Sequence, residues 1–239
     1  MLSYARQVVE QTNLLEERYK SHTETRELFS VSSQHYAFVV NAFVSLLKRA
    51  DMTRYELFLR ETRTYEIIED VKNFRSEIGV LFLNSYNRDV LTKMFDDNRL
   101  TYTSLFKARP HIFISKSNPL AKHEVVSLED LEDFPYLSYD QGIHNSFYYS
   151  EEILSQIPHK KSIVVSDRAT LFNLLIGLDG YTIATGILNS NLNGDNIVSI
   201  PLDIDDEIDI VYLKHEKATL SKMGEKFLDN LVKEVTFDN

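Results

Sequence analysis

Apolar residues along this chain change their spacing in a repeating order. From residue 2 to about residue 23 there is no proline or glycine, and Met1, Ala5, Val8, Thr12, Leu15, Tyr19 and His22 fall alternately four and three apart, a coiled-coil period. That seam fits an amphipathic helix packed on its own domain or one that pairs with a partner chain. "ELFSVSS" (27–33) then reads as a strand, and "QHYAFVVNAFVSLLKRA" (34–50) as a helix with Val39, Val40, Phe43, Leu46 and Leu47 on its buried stripe. The cycle repeats with "YELFLRET" as a strand, "TYEIIEDVKNF" as a helix with Thr64 placed as its N-cap, "EIGVLFL" as a third strand and "RDVLTKMFDDN" as a short helix. Strands alternating with helices of about ten residues imply βα units and a mostly parallel sheet, so residues 28 to about 100 read as one α/β lobe.

After residue 100 the rhythm differs. "LTYTSLFKARPHIFISKS" holds two strands in close succession, meeting near Arg109 and Pro110. In "SNPLAKHEVVSLEDLEDFPYLSYD" (117–140), Ser127 lies three before Asp130, a capping box that starts a short helix. Leu128, Leu131 and Phe134 share one side of it and Pro135 ends it, so the phrase reads as an apolar plug that anchors a crossover before the strand "YLSY". "KKSIVVSDRATLFNLLIGLDGYTIATG" is strand, helix, turn and strand, with Gly180 placed as a left-handed helix C-cap. "NIVSIPLDIDDEIDIVYLKH" returns as strands. "SKMGEKFLDNLVKEV" closes as an amphipathic helix with Met223, Phe227, Leu228, Leu231, Val232 and Val235 as its stripe.

Composition narrows the chemistry. The 239 residues are 43% hydrophobic and 26% charged, ordinary for a soluble globular chain, and no run approaches the ~18 apolar residues of a membrane span. There is no cysteine, which removes disulfides, thiolate metal sites and a cysteine nucleophile. The N-terminus lacks a basic start followed by an apolar block, so a cytoplasmic setting is expected. A net charge of −10 argues against gripping a phosphate backbone unaided. The seven histidines (22, 35, 111, 123, 144, 159 and 215) include no pair at the i, i+3 or i, i+4 spacing of a helical metal site. No P-loop, GxGxxG or GxSxG occurs. "DIDDEID" (203–209) lacks the Gly and the twelfth-position Glu of a calcium loop, and reads as a solvated turn before the last long strand. No cofactor, no metal and no enzymatic reaction are expected.

The order of these features closely resembles the effector-binding domain of LysR-type transcriptional regulators. In that family a strand is followed by a His/Asn-Pro-Leu turn, Val-Ser-Leu, an acidic mini-helix and an aromatic strand, as in residues 117–140 here. "FSVSSQHYAFVVNAFVSLLKR", "ETRTYEIIEDVKNFRSEIGVLFL", "VVSDRATLFNLLIGLDGYTIATG" and "IVYLKHEKATLSKMGEKFLDNL" extend the resemblance over nearly the whole chain. It implies an α/β fold of two Rossmann-like lobes of the type II periplasmic-binding-protein kind, joined by two crossover strands near 105–109 and 202–208. Residues 1–24 would be the linker and dimerisation helix, 25–105 with 208–239 lobe I, and 106–207 lobe II. The family's winged helix-turn-helix, normally ahead of the linker helix, is not in this sequence. Gly79 stands where many members carry Asp, and Thr62 where many carry Gly.

The function so implied is the effector-sensing and dimerisation region of a regulator that binds a small, anionic metabolite between its lobes. The effector would be an amino acid or other carboxylate. The partners would be a second copy in a homodimer, with tetramers open in the full-length protein, and promoter DNA only through the N-terminal domain. In such a fold several helices begin at the cleft, where free backbone N–H groups face an anion. Ser32, Ser33, Thr62, Arg63, Thr64, Ser166 and Arg168 are candidates at those starts, although Ser33, Thr64 and Ser166 also read as plain N-caps. Asn84, Tyr86, Tyr139, Gln141 and Thr185 are candidates by position, the two tyrosines being equally readable as core. A solute-binding protein of a transport system is the alternative with the same bilobal fold. An export signal or a lipid-anchored cysteine upstream would mark it.

Overall fold

The structure is a computed structural model that describes residues 27–49, 55–188 and 195–236. The helix expected over 1–24 lies outside the described residues. Other than 27–28 and 55–57, the described residues fall in one compact unit, 29–50 with 58–239.

Among the described residues, ten strands and five α-helices follow in the order β1 Glu27–Ser33, α1 Ala37–Arg49, β2 Tyr55–Glu61, α2 Thr64–Lys72, β3 Ile78–Leu83, α3 Arg88–Asp97, β4 Leu100–Ala108, β5 His111–Ser115, β6 Tyr136–Tyr139, β7 Ser162–Val165, α4 Arg168–Leu178, β8 Tyr181–Ala184, β9 Ile197–Pro201, β10 Ile208–His215 and α5 Lys222–Thr236. They form two five-stranded sheets, ordered β2-β1-β3-β10-β4 and β7-β6-β8-β5-β9. The chain leaves the first sheet between Ala108 and His111, around Pro110, and returns between Pro201 and Ile208. This is the bilobal periplasmic-binding-protein type of α/β fold.

Both sheets are mixed, where a mostly parallel first sheet was expected. β1 runs parallel to β3, but β10 returns antiparallel to both β3 and β4. In the second sheet β6 is parallel to β7 and β8, while β5 is antiparallel to β8 and β9. Each returning strand arrives directly from the other sheet rather than through a crossover helix, and so has no reason to be parallel.

Every residue of β3 is buried, as the apolar run "IGVLFL" requires of a central strand covered on both faces. Ile67, Ile68 and Val71 of α2 pack with Leu81 and Leu83 of β3, Leu91 and Phe95 of α3, and Val211 and Leu213 of β10. Each such side chain contributes roughly 1.5–3 kcal/mol on burial. Gly79 makes this contact close: a Cβ there would stand 2.8 Å from Ile67 Cγ2 and 2.9 Å from Val71 Cγ2. The Asp seen at this position in the resembling family has no room under α2 here.

Helix α5 lies on α1, with Phe227 tilted on Phe29 and edge-on to Phe43, and with Ser45 Oγ donating to Glu234 at 2.7 Å. Met223, Phe227 and Leu231 are its buried residues from the expected stripe, whereas Val232 is exposed.

Three local expectations need correction. The capping box at Ser127 forms in both directions, Asp130 N–H to Ser127 Oγ and Ser127 N–H to Asp130 Oδ2, but the helix it starts is a 3-10 turn over Glu129–Leu131. Of its three apolar residues Leu131 is buried while Leu128 is exposed, because a three-residue turn presents one side chain to the core. The left-handed residue closing α4 is Asp179, with φ 52°, and not Gly180. The acidic run 203–209 is not uniformly solvated. Asp209 is buried, accepting from Arg88 Nη2 at 2.9 Å and from Ser104 Oγ at 2.5 Å.

Candidate functional site

Backbone N–H groups free at a helix start attract acceptors, and the loop after β1 begins by supplying one. Gln34 is buried, and its carboxamide receives the Tyr36 hydroxyl at 2.6 Å and Phe82 N–H at 3.1 Å on Oε1, while Nε2 donates to Thr64 Oγ1 at 2.6 Å. One side chain thus locks the entry to α1, the end of β3 and the start of α2. It was not among the expected site residues, since a lone Gln carries no motif.

His35 follows. Its backbone N–H donates to Glu151 Oε2 at 2.9 Å, its Nδ1 lies 2.9 Å from the same oxygen, and its ring stacks on Tyr139 at 4.0 Å between centroids. Burial alone would lower the His35 pKa, but the hydrogen bond and charge of Glu151, aided by Glu61 and opposed by Arg168, hold it above its ordinary value. Glu151 Oε1 accepts from Gln141 Nε2 at 3.1 Å, and Gln141 Oε1 in turn accepts from Thr64 N–H at 3.3 Å. The start of α2, where an anion was expected, is therefore occupied by a carboxamide oxygen of the protein itself.

Two arginines stand nearby. Arg63 Nε donates to the Asp140 carbonyl at 3.0 Å and its Nη2 to Asp140 Oδ2 at 2.6 Å. The Gly142 N–H on Asp140, with Arg63, holds that carboxyl below its ordinary range despite some burial. Arg168 pairs with Glu61, Nε to Oε1 at 3.1 Å and Nη2 to Oε2 at 3.4 Å.

Residues of both sheets enclose a pocket of about 620 Å³, counted out to its open mouth. Phe38, Phe82, Phe113 and Phe172 form much of its apolar wall, and its polar lining includes His35, Tyr139, Glu151, Glu152, Arg168 and Thr185. Glu152 is 4% exposed; its Oε1 accepts Tyr139 N–H at 2.9 Å, and among the described residues its Oε2 has no hydrogen-bond partner. Burial, and then the charge of Glu151, push its pKa well above the ordinary value, against the pull of the backbone N–H groups of Tyr139, Glu152 and Glu151. Neither Glu151 nor Glu152 was expected here, because "SEE" in a loop looks like solvated charge.

Of the sequence candidates, Tyr139, Arg168 and Thr185 line this pocket. Gln141 and Thr64 join its supporting network, and Arg63 clamps the loop at 140. Ser32 turns away from it, its hydroxyl donating to Asp70 Oδ2 at 2.6 Å and meeting Ser76 Oγ. Ser33 is buried beside Gln34, its Oγ without a partner among the described residues and its carbonyl accepting Thr62 N–H at 2.8 Å. The Thr62 hydroxyl donates to Glu66. The N-cap of α2 is Arg63, without a side-chain cap bond, and Thr64 is the first helical residue. Ser166 is exposed, and α4 is capped instead by Asp167, which accepts Thr170 N–H at 2.8 Å. Asn84 closes the turn into α3 by accepting Tyr86 N–H and Asn87 N–H at 3.1 Å, and Tyr86 stacks in the open on Tyr148.

Among the described residues there is no cluster of three or more His, Asp or Glu able to hold a metal, and no helix long and apolar enough to cross a membrane.

The family model of the LysR substrate binding domain matches residues 32–236. In fold the chain is similar to a full-length OxyR variant from Pseudomonas aeruginosa, with TM-score 0.61 and 14% identity over 96% of this chain and 77% of that one. It is also similar to the LysR-family transcriptional regulator HinK from Pseudomonas aeruginosa, with TM-score 0.56 and 13% identity over 98% and 79%. The effector-binding domain of QuiR in complex with shikimate matches with TM-score 0.57 and 15% identity over 87% and 97%. Comparison with curated protein sequences gives no match.

Proposed function

The chain belongs to the LysR substrate-binding domain family, and from that premise we propose that it is the effector-sensing and dimerisation region of a LysR-type transcriptional regulator. Its ligand is a small metabolite held in the pocket between β1–β4 with β10 on one side and β5–β9 on the other. The observation that carries this reading is the pocket itself, because His35, Phe38 and Phe82 come from the first group of elements and Tyr139, Glu151, Glu152 and Arg168 from the second. A ligand that touches both groups has different contacts when they shift, and only such a difference lets it move a conformational balance. That QuiR holds shikimate supports a small-molecule effector.

The division into lobes at 25–105 with 208–239 and 106–207 is supported by β1–β3 and β10 falling in the first span and β5–β9 in the second, with β4, Leu100–Ala108, running across the boundary between them. Within the pocket, Tyr139, Arg168 and Thr185 are ligand contacts. Arg168 is the anchor for a carboxylate, which it would hold in place of Glu61. The regulator acts as a cytoplasmic homodimer through residues 1–24, and meets DNA through an N-terminal domain.

A thermal-shift screen of small metabolites, followed by calorimetry on the wild type and Arg168→Ala, tests this. A ligand should emerge whose affinity falls more than tenfold in the variant. A hit that Arg168→Ala binds equally well would remove the carboxylate anchor, and the absence of any hit would remove the sensing role.

A further inference from the structure

Glu152 is a carboxyl that the fold holds against the pocket without supplying a donor to each of its oxygens. Its neighbour is in a different state. Glu151 receives the His35 backbone N–H, the His35 ring and Gln141 Nε2. Arg168 faces Glu61. With those two pairs set against each other, Glu152 is the acidic group left over in the lining, and its Oε2 is the oxygen still lacking a partner among the described residues.

A buried oxygen without a donor is costly, and the group that best completes a carboxylate is a cation with N–H bonds. The surrounding surface suits the same occupant. Tyr36, Tyr139, Phe38, Phe82, Phe113 and Phe172 all line the pocket, and aromatic faces attract an ammonium as apolar walls accept a hydrocarbon. An unaccompanied anion would instead meet two adjacent carboxyl side chains.

We propose that Glu152 is the acceptor for the ammonium group of a small apolar amine, an apolar α-amino acid included, bound in this pocket. The assignment rests on the effector reading above and specifies its ligand: an amine held at Glu152, with any carboxylate of the same molecule left to Arg168.

Three probes of one shape separate the contributions. L-leucine has both charged groups, 4-methylpentanoate lacks the amine and 3-methylbutylamine lacks the carboxylate. Calorimetry on the 239-residue chain should show leucine and 3-methylbutylamine binding, and 4-methylpentanoate at least tenfold weaker than leucine. In Glu152→Gln, which keeps the side chain's size, that tenfold gap should close. If 4-methylpentanoate matches leucine, if the gap persists in Glu152→Gln, or if neither amine binds, the assignment is overturned. The wild-type comparison stands alone should the variant fail to fold. The effector reading fails on different evidence, a metabolite screen without a hit, so the two outcomes are separable.

Discussion

A carboxyl 4% exposed beside a second carboxyl alters how the protein responds to pH. With no ligand in the pocket Glu152 keeps its proton in the folded chain above its ordinary value of 4.5, a proton that a bound ammonium would displace, whereas in the unfolded chain it gives it up near that value. The native state therefore binds more protons than the unfolded state in this range. The associated stability is complete below about pH 4.5 and is lost as pH rises through the folded value. Histidine 35, also raised, has the same sign and loses its contribution as pH climbs past its own folded value. Glu152→Gln should flatten the Glu152 part of this decline, leaving the variant more stable than wild type at pH 8 by roughly 1–3 kcal/mol. Urea unfolding at pH 5 and pH 8 measures it. An identical pH slope in both proteins would show that Glu152 is ionised in the native state. Nothing in "YYSEEILSQ" signals this behaviour, because two adjacent glutamates in a loop are ordinarily solvated, and their burial depends on what folds over them.

At the scale of single elements the cap of α4 shows how far local chemistry carries. Asp167 accepts the Thr170 backbone N–H at 2.8 Å and the Thr170 hydroxyl at 2.7 Å, which hold its pKa below the ordinary value against slight desolvation. Asp167→Ala should lower the melting temperature by about 2–4 °C at neutral pH, with the deficit shrinking as acid protonates the wild-type cap. Scanning calorimetry at pH 7 and pH 3 checks both parts. Both Ser166 and Asp167 are good capping types, so the sequence signalled a cap without deciding between neighbours. The choice follows from β7 ending at Val165: the chain leaves Ser166 exposed and Asp167 in the extended conformation, φ −151°, that an N-cap requires. The short helix after Ser127 differs in kind. Its capping box was readable and forms, but whether one turn or a true helix follows depends on how soon the chain must enter β6.

At the scale of the whole molecule, segments distant in sequence are tied at a few points. His35 and Glu151 are 116 residues apart and meet with 7% and 3% of their side chains exposed. Water screens such a pair little, so a double-mutant cycle of His35→Ala and Glu151→Ala should return a coupling of roughly 0.5–3 kcal/mol. The coupling should fall as pH rises past the histidine's raised pKa. A coupling near zero would mean that the imidazole adds nothing to what the His35 backbone N–H and packing already supply. The Arg63–Asp140 pair, with 37% and 42% exposed, is a weaker tie of the same kind. These links set the pocket's shape, and so bear directly on the effector role proposed for it.

The order of strands and helices, the two strands meeting near Pro110 and the burial of Met223, Phe227 and Leu231 on α5 follow from local pattern, since hydrophobic period and proline act within a few residues, whereas a crossing between sheets there was implied by the family resemblance. Tyr139, Arg168 and Thr185, which line the pocket, were candidates because the fold implied by the family resemblance turns strand ends and helix starts toward a cleft. The antiparallel return of β10, the Gln141 carboxamide seated on the first N–H of α2, and the burial of Glu151 and Glu152 could not be read there. Each depends on which distant segment arrives alongside, and on how little water remains once it has.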